Sequence, residues 1–115
     1  MTTQDTFDRH CDALAAHDID ATLADYAEDS VLVTTMGVFR GRDEIRGVFE
    51  NMLSEFAAAD ATLHVDETHV EDDFAYLVWH AETDETVYEF CTDTFYIPED
   101  TIRFQTFAGK LIPKE

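Results

Sequence analysis

The segment Tyr88-Glu-Phe-Cys-Thr-Asp-Thr-Phe-Tyr96 sets a carboxylate, Asp93, among strand-forming and aromatic neighbours. Side chains of a strand alternate between faces, so Asp93 shares a face with Glu89, Cys91 and Phe95. A carboxyl group shielded from water keeps its proton to higher pH and can donate a hydrogen bond to a developing oxyanion. Turn signals at Thr83-Asp84-Glu85 and Pro98-Glu99-Asp100 fix the neighbours of this strand. A three-residue loop with Asp100 left-handed pairs Asp93 with Gln105 and Cys91 with Phe107. The preceding hairpin, with Val87 opposite Glu82, pairs His80 with Glu89 and Tyr76 with Asp93. One face then gathers Tyr76, His80, Glu89, Asp93 and Gln105. The other gathers Trp79, Tyr88, Phe90, Tyr96 and Phe104. A slip of one residue exchanges the two faces.

On this register His80 beside Glu89 is a candidate general acid/base pair, because a neighbouring carboxylate favours the charged imidazole and orients it. The alternative is a cross-strand pair on an acid-rich surface. Asp93 beside Tyr76 and Gln105 is a candidate proton-bearing acid, or else a carboxylate tied to its strand neighbours for structure. Gln105 would position a ligand rather than react with it. His80, Glu82 and Glu89 could converge on a metal, but any acidic strand pair offers that spacing, and neither a metal site nor a cofactor is expected. Cys91 reads as a small buried hydrophobe.

These strands need a scaffold. Residues 4–17 predict a helix, with Phe7, Cys11 and Leu14 at three- and four-residue steps. Asp18 or Asp20 caps a short second helix with Ile19, Leu23 and Tyr26 inward, broken at Asp29-Ser30. Val31–Met36 predicts a strand, and Val38–Arg40 a short one between Gly37 and Gly41. A third helix spans about 42–58, with Ile45, Val48, Phe49, Met52, Leu53 and Phe56 as its apolar stripe. Strands follow at about 61–71, 74–82, 86–97 and 102–108. Helices on one face of a curved sheet make an α+β domain, a single one over residues 1–115.

Twenty-six Asp and Glu face seven Lys and Arg, a formal net charge of −19. Phosphate binding needs clustered Lys and Arg, so nucleic acid is not an expected partner. The acids are spread over every predicted element, and such a surface repels itself in dilute buffer. It suits a high-salt cytoplasm, where the Debye length shrinks to about 3 Å at about 1 M salt. Cys11 and Cys91 lack a CxxC spacing, which fits a reducing compartment. No apolar run approaches the ~20 residues of a membrane helix, and no basic-then-apolar start predicts a secretory leader.

The stretch His17-Asp18-Ile19-Asp20 through Tyr26-Ala27-Glu28-Asp29-Ser30-Val31, followed by Gly41-Arg42-Asp43-Glu44-Ile45-Arg46, resembles the nuclear transport factor 2-like superfamily. More narrowly it is similar to SnoaL-like proteins, relatives of ketosteroid isomerase. Thr92–Ile97 with Ile102 resembles the family's last hairpin. The resemblance implies a cone-shaped curved antiparallel sheet with three helices, the cystatin-like α+β roll, enclosing a deep pocket for a small hydrophobic ligand. It also implies a homodimer packed through the outer sheet face, here Trp79, Tyr88, Phe90 and Tyr96. Aromatic residues suit such an interface core. By the same resemblance the isomerase's catalytic base falls at Thr34, which cannot act as that base, and one oxyanion donor falls at His10. The second donor falls at Asp93.

Two functions stay open. One is a cofactor-independent acid/base enzyme, an isomerase, dehydratase or hydrolase, acting on a hydrophobic or carbonyl-bearing metabolite through His10, His80 and Asp93. In that reading Tyr76, Glu89, Gln105 and Thr34 line the pocket. The other is a non-catalytic ligand-binding or dimerisation module, whose polar groups satisfy one another. Fold alone does not choose between them.

Overall fold

The computed structural model describes residues 2–58 and 60–115. Helix α1 (Thr3–Ala15) starts at a capping box, in which the Thr2 hydroxyl accepts from the Asp5 N–H and the Asp5 carboxylate accepts from the Thr2 N–H. His17, at φ 55°, turns the chain out of α1. Asp18 then caps α2 (Ile19–Leu23), accepting from Ala21 N–H at 3.0 Å. Strand β1 (Tyr26–Thr34) begins earlier than its β-branched run suggests. Tyr26 opens the strand instead of closing the helix, and Ser30 breaks nothing. Its hydroxyl donates to Ile102 C=O at 2.6 Å and accepts from Ala27 N–H at 2.8 Å, holding an irregularity between Tyr26 and Val31.

After β2 (Gly37–Arg40) the chain enters α3 (Gly41–Phe56). Gly41 has φ 84°, and a Cβ there would lie 2.9 Å from the Glu28 carbonyl oxygen, so glycine is required twice over. Ile45, Phe49, Leu53 and Phe56 are the buried stripe of α3, with Val48 and Met52 half-buried beside it. Strands β3 (Thr62–Glu71), β4 (Phe74–Glu82), β5 (Thr86–Tyr96) and β6 (Ile102–Pro113) complete a curved sheet of order β2-β1-β6-β5-β4-β3. The β1–β6 pair is parallel, and the other pairs are antiparallel. The core lies between the inner sheet face and the helices. No described helix is long and apolar enough to cross a membrane.

Two registers depart from expectation. In the last hairpin Asp93 stands opposite Phe107, and Phe95 opposite Gln105. The connection runs from Ile97 to Thr101, and Glu99 (φ 65°), not Asp100, takes the left-handed conformation. Ile97 and Ile102 leave the ladder because both are core residues with no exposed surface. Their N–H groups bond to Asp73 C=O at 2.7 Å and Asp25 C=O at 2.8 Å. The shift is by two positions, so Asp93 and Gln105 still share a face.

The second departure moves side chains between faces. The β4–β5 hairpin starts as expected, with Glu82 opposite Val87 and Ala81 opposite Tyr88. Glu89 and Phe90 then both stand against His80, a β-bulge, and Trp79 meets Cys91. Beyond the bulge Ala75, Leu77 and Trp79 point inward with Cys91, Asp93 and Phe95, while Tyr76 and His80 point outward. The gain is apolar burial, about 1.5–3 kcal/mol for a large side chain. The Trp79 ring packs on Tyr88, Phe107 and Phe56 at centroid distances of 5.6, 6.1 and 6.4 Å. The expected outer aromatic face is therefore corrected. Trp79 and Tyr88 are 6% and 7% exposed and belong to the core, whereas Phe90 and Tyr96 lie on the outer surface.

Candidate functional site

A chain of buried polar groups crosses the interior from α1 to β4. Arg9 reaches in from the surface, and its Nη2 lies 2.6 Å from Asp25 Oδ1. Asp25 Oδ2 lies 3.3 Å from His10 Nδ1, and His10 Nε2 lies 3.3 Å from the Tyr26 hydroxyl. Tyr26 donates a short bond to Gln105 Oε1. Gln105 Nε2 donates to Asp93 Oδ2 at 2.8 Å, and the Trp79 indole N–H donates to Asp93 Oδ1 at 2.8 Å. Rings enclose the chain: His10 meets Tyr26, Phe95 and Phe49 edge-on at 5.4, 5.6 and 6.1 Å. Among the described residues every buried side-chain nitrogen or oxygen has a hydrogen-bond partner.

Local sequence explains each position. The capping box sets the phase of α1 so that Phe7 and His10 face the sheet. Asp25 sits where α2 meets β1, and its carbonyl anchors Ile102. Tyr26 is the first inward residue of β1, and Arg42 from α3 fixes its carbonyl at 2.9 Å. The β5 bulge delivers Trp79 to the face of Asp93.

Burial pushes the Asp93 carboxyl up to about 6, although the Trp79 and Gln105 donors and nearby His10 pull it back. Burial also raises the Tyr26 hydroxyl well above its ordinary value, reinforced by Asp93 and Asp25. Cys91 is held up near 12 by burial and by Asp93, so its thiol is no nucleophile. A Cβ at Gly109, opposite Cys91, would come within 2.7 Å of Sγ, so β6 closes directly over that thiol.

The expected site residues divide. His10, Asp93 and Gln105 are buried and joined in one network. His80 is not with them. It lies on the opposite face, exposed, with Nδ1 2.8 Å from Asp66 Oδ2 and its ring stacked on His64 at 4.9 Å. Glu89 is an exposed bulge residue paired with Lys110 at 3.2 Å, so the expected His80–Glu89 dyad does not form. Tyr76 stacks on His69 at 6.3 Å on the outer face, away from Asp93. The Thr34 hydroxyl serves the β1–β2 turn, accepting from Met36 N–H at 3.0 Å and donating to Gly37 C=O. Asp25, Tyr26 and Trp79 are members that sequence reasoning missed. The buried spacing Tyr88, Cys91, Asp93, Phe95, a step of three and then of two, was the available sign of a bulge.

Two open surface depressions lie elsewhere. One of about 350 Å³ lies at Thr62, His64, His80, Glu82 and Glu89, and one of about 420 Å³ at Glu28, Arg40, Arg42 and Glu44. Neither is lined by a residue of the network.

A curved, unclosed sheet with three helices against one face defines the cone-like α+β class of nuclear transport factor 2-like and cystatin-fold proteins. Residues 7–108 match the SnoaL-like domain, and the chain belongs to that family. An NTF2-like protein of unknown function from Cytophaga hutchinsonii superposes with a TM-score of 0.78 at 14% identity, over 96% of this chain and 91% of that one. A SnoaL-like protein of unknown function from Burkholderia thailandensis gives 0.75 at 18% identity, over 94% of each chain. An uncharacterised cystatin-fold protein from Novosphingobium aromaticivorans gives 0.76 at 13%, over 93% and 97%. No curated protein is significantly similar in sequence. At these identities the likeness is one of fold.

Proposed function

We propose that this chain is a dimer-forming SnoaL-like module whose cone is closed by a self-satisfied polar core. The observation that carries this reading is the outer face of β5 and β6. Its positions are Phe90, Thr92, Thr94 and Tyr96 on one strand and Phe104, Thr106, Ala108, Lys110 and Ile112 on the other, and the acid beside them, Glu89 at the bulge, is paired with Lys110. The chain has 26 acids to place. Phe90, Tyr96, Phe104 and Ile112, with Phe74 on β4 packed beside Tyr96, expose 37–56% of their surface, and exposed apolar side chains gathered on one face mark an interface. Two copies meeting elsewhere would oppose carboxylates. Here they meet apolar to apolar, and salt screens the remaining repulsion.

The expected result is a dimer by light scattering at about 1 M KCl that weakens as salt falls toward about 0.1 M, where the Debye length is about 10 Å. Tyr96→Asp with Phe104→Asp should give a folded monomer. A wild-type monomer at high salt, or a double variant that stays dimeric, sinks the proposal.

A second reading is favoured by Asp93 itself. With a carboxyl raised to about 6 and 8% of its surface still accessible, it can donate a hydrogen bond to a carbonyl-bearing ligand when it holds its proton. The chain has one tryptophan, and its indole N–H lies on Asp93. Cyclic ketones such as cyclohexanone are expected to shift that single indole resonance saturably. A resonance that stays fixed up to the solubility limit removes this reading and leaves the first untouched.

A further inference from the structure

The buried network has a definite hydrogen count. The Tyr26 hydroxyl has one hydrogen, and it goes to Gln105 Oε1. Its contact with His10 Nε2 is therefore attractive only if Nε2 carries a hydrogen. His10 Nδ1 faces a carboxylate oxygen of Asp25, which only accepts. In this arrangement both ring nitrogens bear hydrogen, and Asp93 is a carboxylate accepting from Trp79 and Gln105.

A half-turn of the Gln105 amide yields a second complete arrangement on the same heavy atoms. Amide oxygen and nitrogen exchange places without steric cost. Asp93 Oδ2–H then donates to Gln105 Oε1, Gln105 Nε2 donates to the Tyr26 oxygen, and Tyr26 donates to His10 Nε2. Nδ1–H stays on Asp25. The hydrogens balance: one leaves His10 Nε2 and one stands on Asp93 Oδ2, with no outside donor or acceptor. Hydrogens at both ends set two donors against each other between Tyr26 and His10. Hydrogen at neither end sets two acceptors together. Both faults are costly in a buried site.

We propose that Asp93 and His10 hold a single proton between them, and that the orientation of the Gln105 amide records which end has it. The other ionisable groups facing this pair are few. Asp93 faces Cys11 from α1, Tyr26 from β1 and Cys91 on its own strand. His10 faces Asp25, with Arg9 behind it. From α3 the neutral Phe49 ring packs on it edge-on. The two ends are thus coupled by hydrogen-bond direction, over and above their mutual field.

The test is the hydrogen count on the His10 ring, read from the nitrogen shifts of histidine-labelled intact protein. Asp93→Asn places an N–H where the second arrangement has O–H. It is expected to strip the hydrogen from His10 Nε2 and leave Nδ1–H alone. Made in a Gln105→Met background, the same substitution should leave the ring unchanged. A ring unaltered by Asp93→Asn overturns the proposal, and so does an equal change without Gln105, because the field alone would then account for it. If either variant fails to fold, the wild type decides. The Asp93 carboxyl carbon, the Gln105 side-chain amide and the His10 nitrogens must move together with temperature at fixed pH, and unrelated temperature curves overturn the sharing.

Discussion

Asp25→Ala should destabilise the fold by about 3–5 kcal/mol, the usual result of removing one partner from a buried charged pair. The Asp25 side chain has no exposed surface and accepts from both Arg9 and His10. Without it His10 Nδ1 and the Arg9 guanidinium both lose that acceptor. Asp25→Asn keeps the volume and one acceptor, so its loss should be smaller, about 1–3 kcal/mol. Domain stabilities are only about 5–15 kcal/mol, which makes the alanine variant partly unfolded at low salt. Urea denaturation at constant high salt separates the outcomes. A shift within about 0.5 kcal/mol of wild type would mean that the interior network contributes no net stability.

Trp79→Ala carries the second large effect, about 3–5 kcal/mol, because a buried ring is lost and the space is only partly refilled. Its use is diagnostic. A residue on an outer dimer face would, when truncated, weaken association and spare the monomer. Trp79 lies between Phe56, Tyr88 and Phe107, so the monomer's urea midpoint should fall while the dimer constant of the folded fraction is unchanged. Trp79→Phe retains much of the ring but removes the donor to Asp93 Oδ1. The carboxylate then loses one of the interactions that hold its pKa down. The Asp93 carboxyl should titrate above about 6 in that variant, read by its side-chain carbon shift. An unmoved or lowered midpoint would contradict the bond.

Much of the fold could be read from periodicity. The α3 stripe from Ile45 to Phe56 and the limits of β4 follow from apolar spacing and turn residues, which are local physics. The Asp18 cap and the capping role of the acids behave the same way. Register is not local. In the last hairpin Ile97 and Ile102 were drawn out of the ladder by the core, a tertiary demand that turn chemistry at Glu99-Asp100 does not announce. In β4–β5 the bulge has no glycine to mark it, and Glu89 resembles any other surface acid. That is why His10, Asp93 and Gln105 could be picked out individually, while His80, Tyr76 and Glu89 were drawn to the wrong face. Asp25 and Tyr26 escaped notice because they were placed within or beside a helix.

Glu89 therefore works like an inserted letter in a reading frame. On its N-terminal side the strand's even-numbered Tyr88 speaks to the interior, and on its C-terminal side the odd-numbered Cys91, Asp93 and Phe95 do. Deleting that one residue would change net charge by a single unit and apolar content not at all, and would let Tyr88, Cys91, Asp93 and Phe95 keep their shared face by plain alternation, with no bulge. A protein of this fold whose strand lacks the bulge aligns with this chain only if a gap is laid at Glu89. Against such a protein, an alignment that runs straight through sets the buried Asp93 against an outward position and keeps that error to the strand's end.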